Sequence, residues 1–106
     1  VYKRQVKHRA AEVLRDNELA RAAVYWSWWV AEQADASQLA EAAPLAKATA
    51  SDAYLAATAA NIQLHGGIGF TWEHDAHLFY KRAKSIELML GDSTEQRAAL
   101  ATALGI

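Results

Sequence analysis

The sequence predicts an all-α fold, an antiparallel up-and-down four-helix bundle. Three observations lead there. Alanine supplies 25 of the 106 residues and proline only one, Pro44; alanine is the best helix former and proline the worst interior residue. Apolar residues recur at spacings of three, four and seven, and no segment sustains the strict alternation of a strand. The five glycines fall at only three places, around Gly66, at Gly91 and at Gly105, where a helix would be expected to stop.

The first helix is expected from about Gln5 to Gln33, with Val6, Ala10, Val13, Ala20, Val24 and Ala31 on one face, interrupted by Asn17 and Ser27. Such a length fits a bundle. A connection is expected from Ala34 to Ala43, with a short helical turn near Ser37. Pro44 then opens the second helix, because its missing N–H costs nothing in a first turn. That helix runs to about Leu64, with Leu45, Ala48, Asp52, Leu55, Ala59 and Ile62 as its stripe and small residues that permit close helix–helix approach. Gly66 and Gly67 end it. The third helix starts near Glu73 or His74 and runs to about Leu90, with Phe79, Ala83, Ile86 and Leu90 on one face. Gly91 stops it. Asp92 or Ser93 caps the fourth helix, Ser93 with Gln96 fits the capping-box spacing, and Gly105 closes the helix after Leu104.

Composition excludes several function classes. With 11 basic and 12 acidic side chains the chain lacks the basic stripe that nucleic acid requires. It has no cysteine, hence neither disulfides nor a thiolate metal site. No 18-residue apolar run offers a membrane span. The first residues, Val1-Tyr2-Lys3-Arg4-Gln5, carry no methionine and no signal-peptide pattern; an internal start is expected, making residues 1–106 the C-terminal fragment of a longer, cytoplasmic chain.

Three groups of residues invite a chemical reading. His74 and His77, with Glu73 and Asp75, could suggest a metal, but there is no HExxH pattern, and acidic residues at a helix start are explained by the helix dipole; no metal site is expected. Trp26, Trp28 and Trp29 point in different directions on one helix, so part of the set is expected to pack against the remainder of a larger protein or a partner. No GxSxG elbow supports a nucleophilic serine. The glycine loop is the sharpest feature. A helix C-cap needs one glycine, and Gly66-Gly67-Ile68-Gly69 has three. Without a Cβ, their N–H groups can approach a phosphate or a closely packed second chain. The loop is neither a P-loop nor a Rossmann fingerprint, since no Gly-Lys-Ser/Thr follows and no strand precedes it.

The run Gln63-Leu64-His65-Gly66-Gly67-Ile68-Gly69-Phe70-Thr71, then Glu73 and Tyr80-Lys81-Arg82-Ala83-Lys84, closely resembles the C-terminal helical domain of acyl-CoA dehydrogenases. Val6-Lys7-His8-Arg9-Ala10-Ala11 and Glu18-Leu19-Ala20-Arg21-Ala22-Ala23 look like that domain's first long helix, so the resemblance covers about residues 5 to 104. It implies a flavoprotein of lipid metabolism that binds FAD across a subunit interface, with Gln63 and Gly67, and Gly66 beside them, matching the positions that meet the diphosphate end. It also implies an acyl-CoA substrate, homo- or hetero-oligomers, an electron-transfer acceptor, and a carboxylate that removes the proton α to the thioester carbonyl.

The sequence departs from that pattern at the carboxylate. Aligned without gaps from Gln63, the base position is Leu90, in the run Met89-Leu90-Gly91-Asp92, and leucine cannot take a proton. Asp92 would point elsewhere, and Glu87 lies nearly one turn earlier. No catalytic residue is therefore assigned within this chain. Three readings stand: a dehydrogenase whose base lies upstream, a base-less subunit that shares a flavin site with a partner, and a non-enzymatic helical interaction module. In each, the isolated 106 residues are expected to be inactive.

Overall fold

A computed structural model describes residues 2–33, 35–65 and 75–106. Every regular element in them is an α-helix: α1 (Tyr2–Glu32), α2 (Ala36–His65), α3 (Asp75–Leu88) and α4 (Ser93–Leu104). The 31 residues of α1 span about 46 Å at 1.5 Å per residue, which accounts for the molecule's 47 Å long dimension.

The second helix starts eight residues earlier than expected and carries Pro44 in its interior. Its start is made by Asp35, whose Oδ1 accepts from the Gln38 N–H at 3.1 Å and whose carbonyl accepts from Leu39 N at 3.0 Å. Such a cap contributes about 1 kcal/mol, less than the roughly 3 kcal/mol that an interior proline costs. Ala42, Pro44 and Ala46 are all buried, so the helix carries Pro44 on its inward face, where apolar burial offsets part of that cost.

α2 is the axis of the molecule, since α1, α3 and α4 each pack against it. It contributes most of the buried residues, among them Ala42, Ala46, Ala48, Ala53, Ala60 and Ile62. The face of α1 that meets it runs through Val6, Val13, Asp16, Ala20, Ala23, Ser27 and Val30, at steps of seven, three and four. This seam shares Val6, Val13 and Ala20 with the expected stripe. Near the end of the helix it shifts by one residue, to Ala23 and Val30 in place of Val24 and Ala31. On α3 the buried residues are Ala76 and Ala83. Ala83 was expected there, but Phe79, Ile86 and Leu90 are exposed. On α3, small side chains let the helix axes approach closely, so the alanine face turns inward and the bulky face turns out.

The pairings also give direction. Gln5 and Arg9 of α1 share a groove with Gln63 and Leu64 of α2, and Asp16 and Leu19 share one with Asp52 and Ala56, so these two helices run antiparallel. Further back along α2 from Gln63, the carbonyls of Ile86 and Glu87 at the end of α3 reach Lys47, while His77 lies by Ile62; α3 is also antiparallel to α2. α4 starts at Asp52, where Ser93 donates to the carboxylate, and ends near Leu45. It too runs against α2, whereas up-and-down alternation would set it parallel. The Ser93–Asp52 bond, 2.6 Å, fixes the start of α4 partway along α2 and leaves α4 to continue in the sense of α3.

Asp92 is the N-cap of α4: its carboxylate accepts from Glu95 N at 2.9 Å. The expected capping box does not form, because the Gln96 amide donates to Leu90 O at 2.6 Å and the Ser93 hydroxyl is taken by Asp52. Gly105, at φ 80°, closes α4 with its N–H directed at Ala101 and Thr102 carbonyls. Gly91 has φ 101°, and a Cβ there would lie 3.0 Å from both Gln96 Nε2 and Glu95 Oε2. At Gly105 a Cβ would meet nothing within 4 Å. In the complete protein, Gly91→Ala is expected to cost about 2 kcal/mol, combining strain and crowding, and Gly105→Ala about 1 kcal/mol from strain alone. Thermal unfolding of both variants measures this, and equal losses would contradict the crowding at Gly91.

Candidate cofactor-binding end and the α3–α4 junction

Gln63 is exposed in the last turn of α2. Two helices of about 30 residues joined by a short link bring the start of α1 to the end of α2. Gln5, Val6 and Arg9 therefore line an open groove of about 240 Å³ with Gln63 and Leu64. On its other flank Gln63 borders a second depression with Ala59, Ile62, His77 and Tyr80, so its amide lies between α1 and α3. The groove is smaller than the roughly 300–1,000 Å³ of a complete ligand site; this end of the molecule can supply part of one. Gly66 and Gly67, the other cofactor-contacting residues expected from the sequence, lie outside the described residues.

The donor set suits phosphate oxygens: the guanidinium of Arg9 and the side-chain amides of Gln5 and Gln63, with no carboxylate in the lining among the described residues. Sequence reasoning singled out Gln63 but missed Arg9. The two residues are 54 positions apart, and only the antiparallel pairing of the first two helices brings them together.

The α3–α4 junction, where the resemblance places the proton-abstracting carboxylate, is held by polar groups of α2. The Lys47 ammonium donates to Ile86 O at 3.1 Å, Glu87 O at 3.2 Å, Gly91 O at 3.3 Å and the Ser51 hydroxyl at 3.0 Å. Three N–H bonds serve four acceptors, so one is shared. A cation at this point also meets the negative end of the α3 dipole. Asp52 accepts from Ser93 and forms an ion pair with Arg97. That pair is largely solvent-exposed and contributes at most about 1 kcal/mol.

Leu90 is 87% exposed and left-handed, at φ 62°. The nearby carboxylates are otherwise engaged. Glu87 turns back along its own helix to Lys84 at 3.6 Å, beyond hydrogen-bond range, and its Oε2 is buried without a hydrogen bond. Asp92 caps α4. The Glu95 Oε2 lies beside Gly91, a placement set by the turn that the sequence gave no reason to expect.

A further polar depression, between α1, α2 and α4, contains Asp16, Thr49, Asp52 and Arg97. Its charges are satisfied internally, Asp16 by Arg15 at 3.2 Å and Asp52 by Arg97. Among the described residues no three metal-ligating side chains come together; Glu73 and His74 are outside them. No described helix is long and apolar enough to cross a membrane. Trp28 and Trp29 are more than half exposed, and Trp26 is 39% exposed.

The described residues form an all-helical domain with an exposed amide at the end of its central helix and an exposed leucine at the α3–α4 turn. Comparison with known proteins assigns its family. The family model for the acyl-CoA dehydrogenase C-terminal domain matches residues 1–105, and the chain belongs to that family. It is 41% identical over 91 residues to acyl-CoA dehydrogenase IpdE2 of Mycolicibacterium smegmatis, covering 86% of this chain and 27% of that protein. It is 43% identical over 88 residues to acyl-CoA dehydrogenase FadE34 of Mycobacterium tuberculosis, covering 83% of this chain and 12% of that one. The Mycobacterium tuberculosis IpdE2 is 41% identical over 90 residues, 85% of this chain and 26% of the relative. The chain thus spans less than a third of these relatives. No solved structure matches it significantly.

Lys47→Met keeps the apolar stem and removes the charged donor from three carbonyls. Its expected cost is about 2–3 kcal/mol, read as a lower unfolding midpoint of the complete protein in urea. A midpoint equal to that of the parent would show that water serves those carbonyls as well.

Proposed function

We propose that the complete protein is an FAD-dependent acyl-CoA dehydrogenase that desaturates an acyl-CoA thioester at the α,β position, with this domain supplying part of the cofactor site and a surface for subunit association. The observation that carries the reading is Gln63, exposed at the end of α2 in a groove whose other polar groups are all hydrogen-bond donors to anions. The donor set fits a diphosphate. Gln63, Gly66 and Gly67 would hold that part of FAD, with the amide and the loop N–H groups pointing at phosphate oxygens. When bound, the flavin supplies the acceptor for the substrate's β-hydrogen as hydride. This chain's part is to bind and orient; the α-proton goes to a carboxylate outside it.

Family membership and relatives named acyl-CoA dehydrogenases support the reading. The exposed tryptophans of α1 support homo- or hetero-oligomeric association. The antiparallel pairing of α2 with α1 and α3 supports a bundle for the first three helices. An electron-transfer acceptor and a cytoplasmic setting complete the proposal and rest on the family reading.

Leu90 favours a second reading, a base-less subunit of a heteromeric dehydrogenase. Of the two carboxylates nearest Leu90 in sequence, Glu87 turns toward Lys84 and Asp92 caps α4. Two outcomes separate the readings: dye reduction by the purified complete protein given acyl-CoA supports a base elsewhere in its own chain, whereas activity only after mixing with a partner subunit supports the base-less one. A complete protein that binds no flavin would leave only the helical interaction module. Gln63→Ala is expected to weaken FAD retention by about 1–3 kcal/mol, measured by quenching of flavin fluorescence; unchanged affinity would remove Gln63 from the site.

A further inference from the structure

We infer that Arg9 is a further cofactor-binding residue, its guanidinium pairing with the same diphosphate that Gln63 contacts. The inference rests on the proposed cofactor reading and adds to it the charge that the site needs. Gln63 stands at the C-terminal end of a 30-residue helix, which carries about half a negative elementary charge. An anion brought there is repelled, and a neutral amide cannot offset that. A cation must come from another element.

Arg9 meets the requirement. It lines the same groove as Gln63, approaching from α1, and it is exposed. It forms no ion pair among the described residues, whereas its neighbour His8 is taken by Glu12 at 2.9 Å. Among the described residues no carboxylate lines the groove to neutralise it. A guanidinium presents a planar fork that matches two phosphate oxygens at once. Gln5, one helical turn earlier, adds an amide on the same side.

A bland role competes. Arg9 could merely complement the dipole of α2 and so stabilise the helix end. The two roles predict different measurements on the complete protein. Its apoprotein would be titrated with FAD, with ADP and with coenzyme A, for the parent and for Arg9→Gln, Arg9→Lys and Gln63→Ala, alongside thermal unfolding of each apoprotein.

The expected result is at least a tenfold loss of affinity for both FAD and ADP in Arg9→Gln and a smaller loss in Arg9→Lys. Coenzyme A binding and apoprotein melting stay at parental values, and FAD affinity depends less on salt in Arg9→Gln than in the parent. Parental FAD and ADP affinities in Arg9→Gln, alongside weakened binding in Gln63→Ala, would overturn the role of Arg9 and spare the cofactor reading. Weaker coenzyme A binding with FAD unchanged would assign Arg9 to the substrate and overturn it as well. Lower melting with FAD affinity intact would make it a helix-end cation only. A parent apoprotein that takes up no FAD would overturn both the cofactor reading and the inference.

Discussion

Everything in this domain is arranged around the small-residue surface of α2. Alanine, serine and threonine at its buried positions let three helices approach it closely. The consequence is a core of short side chains, with Val30 the largest fully buried one among the described residues. A buried alanine removes far less apolar surface from water than a leucine would, at about 25 cal/mol per Å². The bulky residues, Leu14, Trp28, Phe79 and Leu88 among them, stay largely exposed. The same choice that makes the packing tight leaves large apolar faces available to other parts of a larger assembly, as expected of a domain that covers less than a third of its relatives.

Because apolar burial is thin, polar groups on α2 set the course of the chain. Lys47 gathers the carbonyls at the end of α3, and Asp52 holds the first turn of α4. Between them lies a turn in which Leu90 and Gly91 both have positive φ. The turn is therefore shaped by bonds to its carbonyls, and the Leu90 side chain projects into solvent. A carboxylate at that position would project the same way. That is why the absence of an acidic residue there bears on the chemistry of the complete protein and little on the folding of this domain.

Much of the fold was legible in the sequence, for reasons tied to particular residues. Gly91 and Gly105 marked helix ends because both occupy conformations that favour glycine, and Asp92 was among the expected caps. Pro44 misled, since it lies inside α2 on the buried face and not at its usual place in a first turn. On α3 the expected stripe held larger apolar residues, while Ala76 and Ala83 are the buried ones; on α1 the stripe was offset by one residue near its end, where Val30 and not Ala31 is buried. The motif singled out Gln63 as a candidate. That Arg9 lines the same groove was not legible, because nothing local links it to a residue at the other end of a helix pair. The glycines Gly66 and Gly67 lie outside the described residues and stand on the motif alone.

The most direct test of the central claim is an experimental structure of the complete protein with FAD, in which the distance from the Gln63 side-chain amide to the cofactor's diphosphate is measured. The account predicts a hydrogen bond of about 2.7–3.2 Å, with the cofactor lying against the end of α2. A diphosphate bound elsewhere, with the Gln63 end of α2 facing solvent, would contradict it.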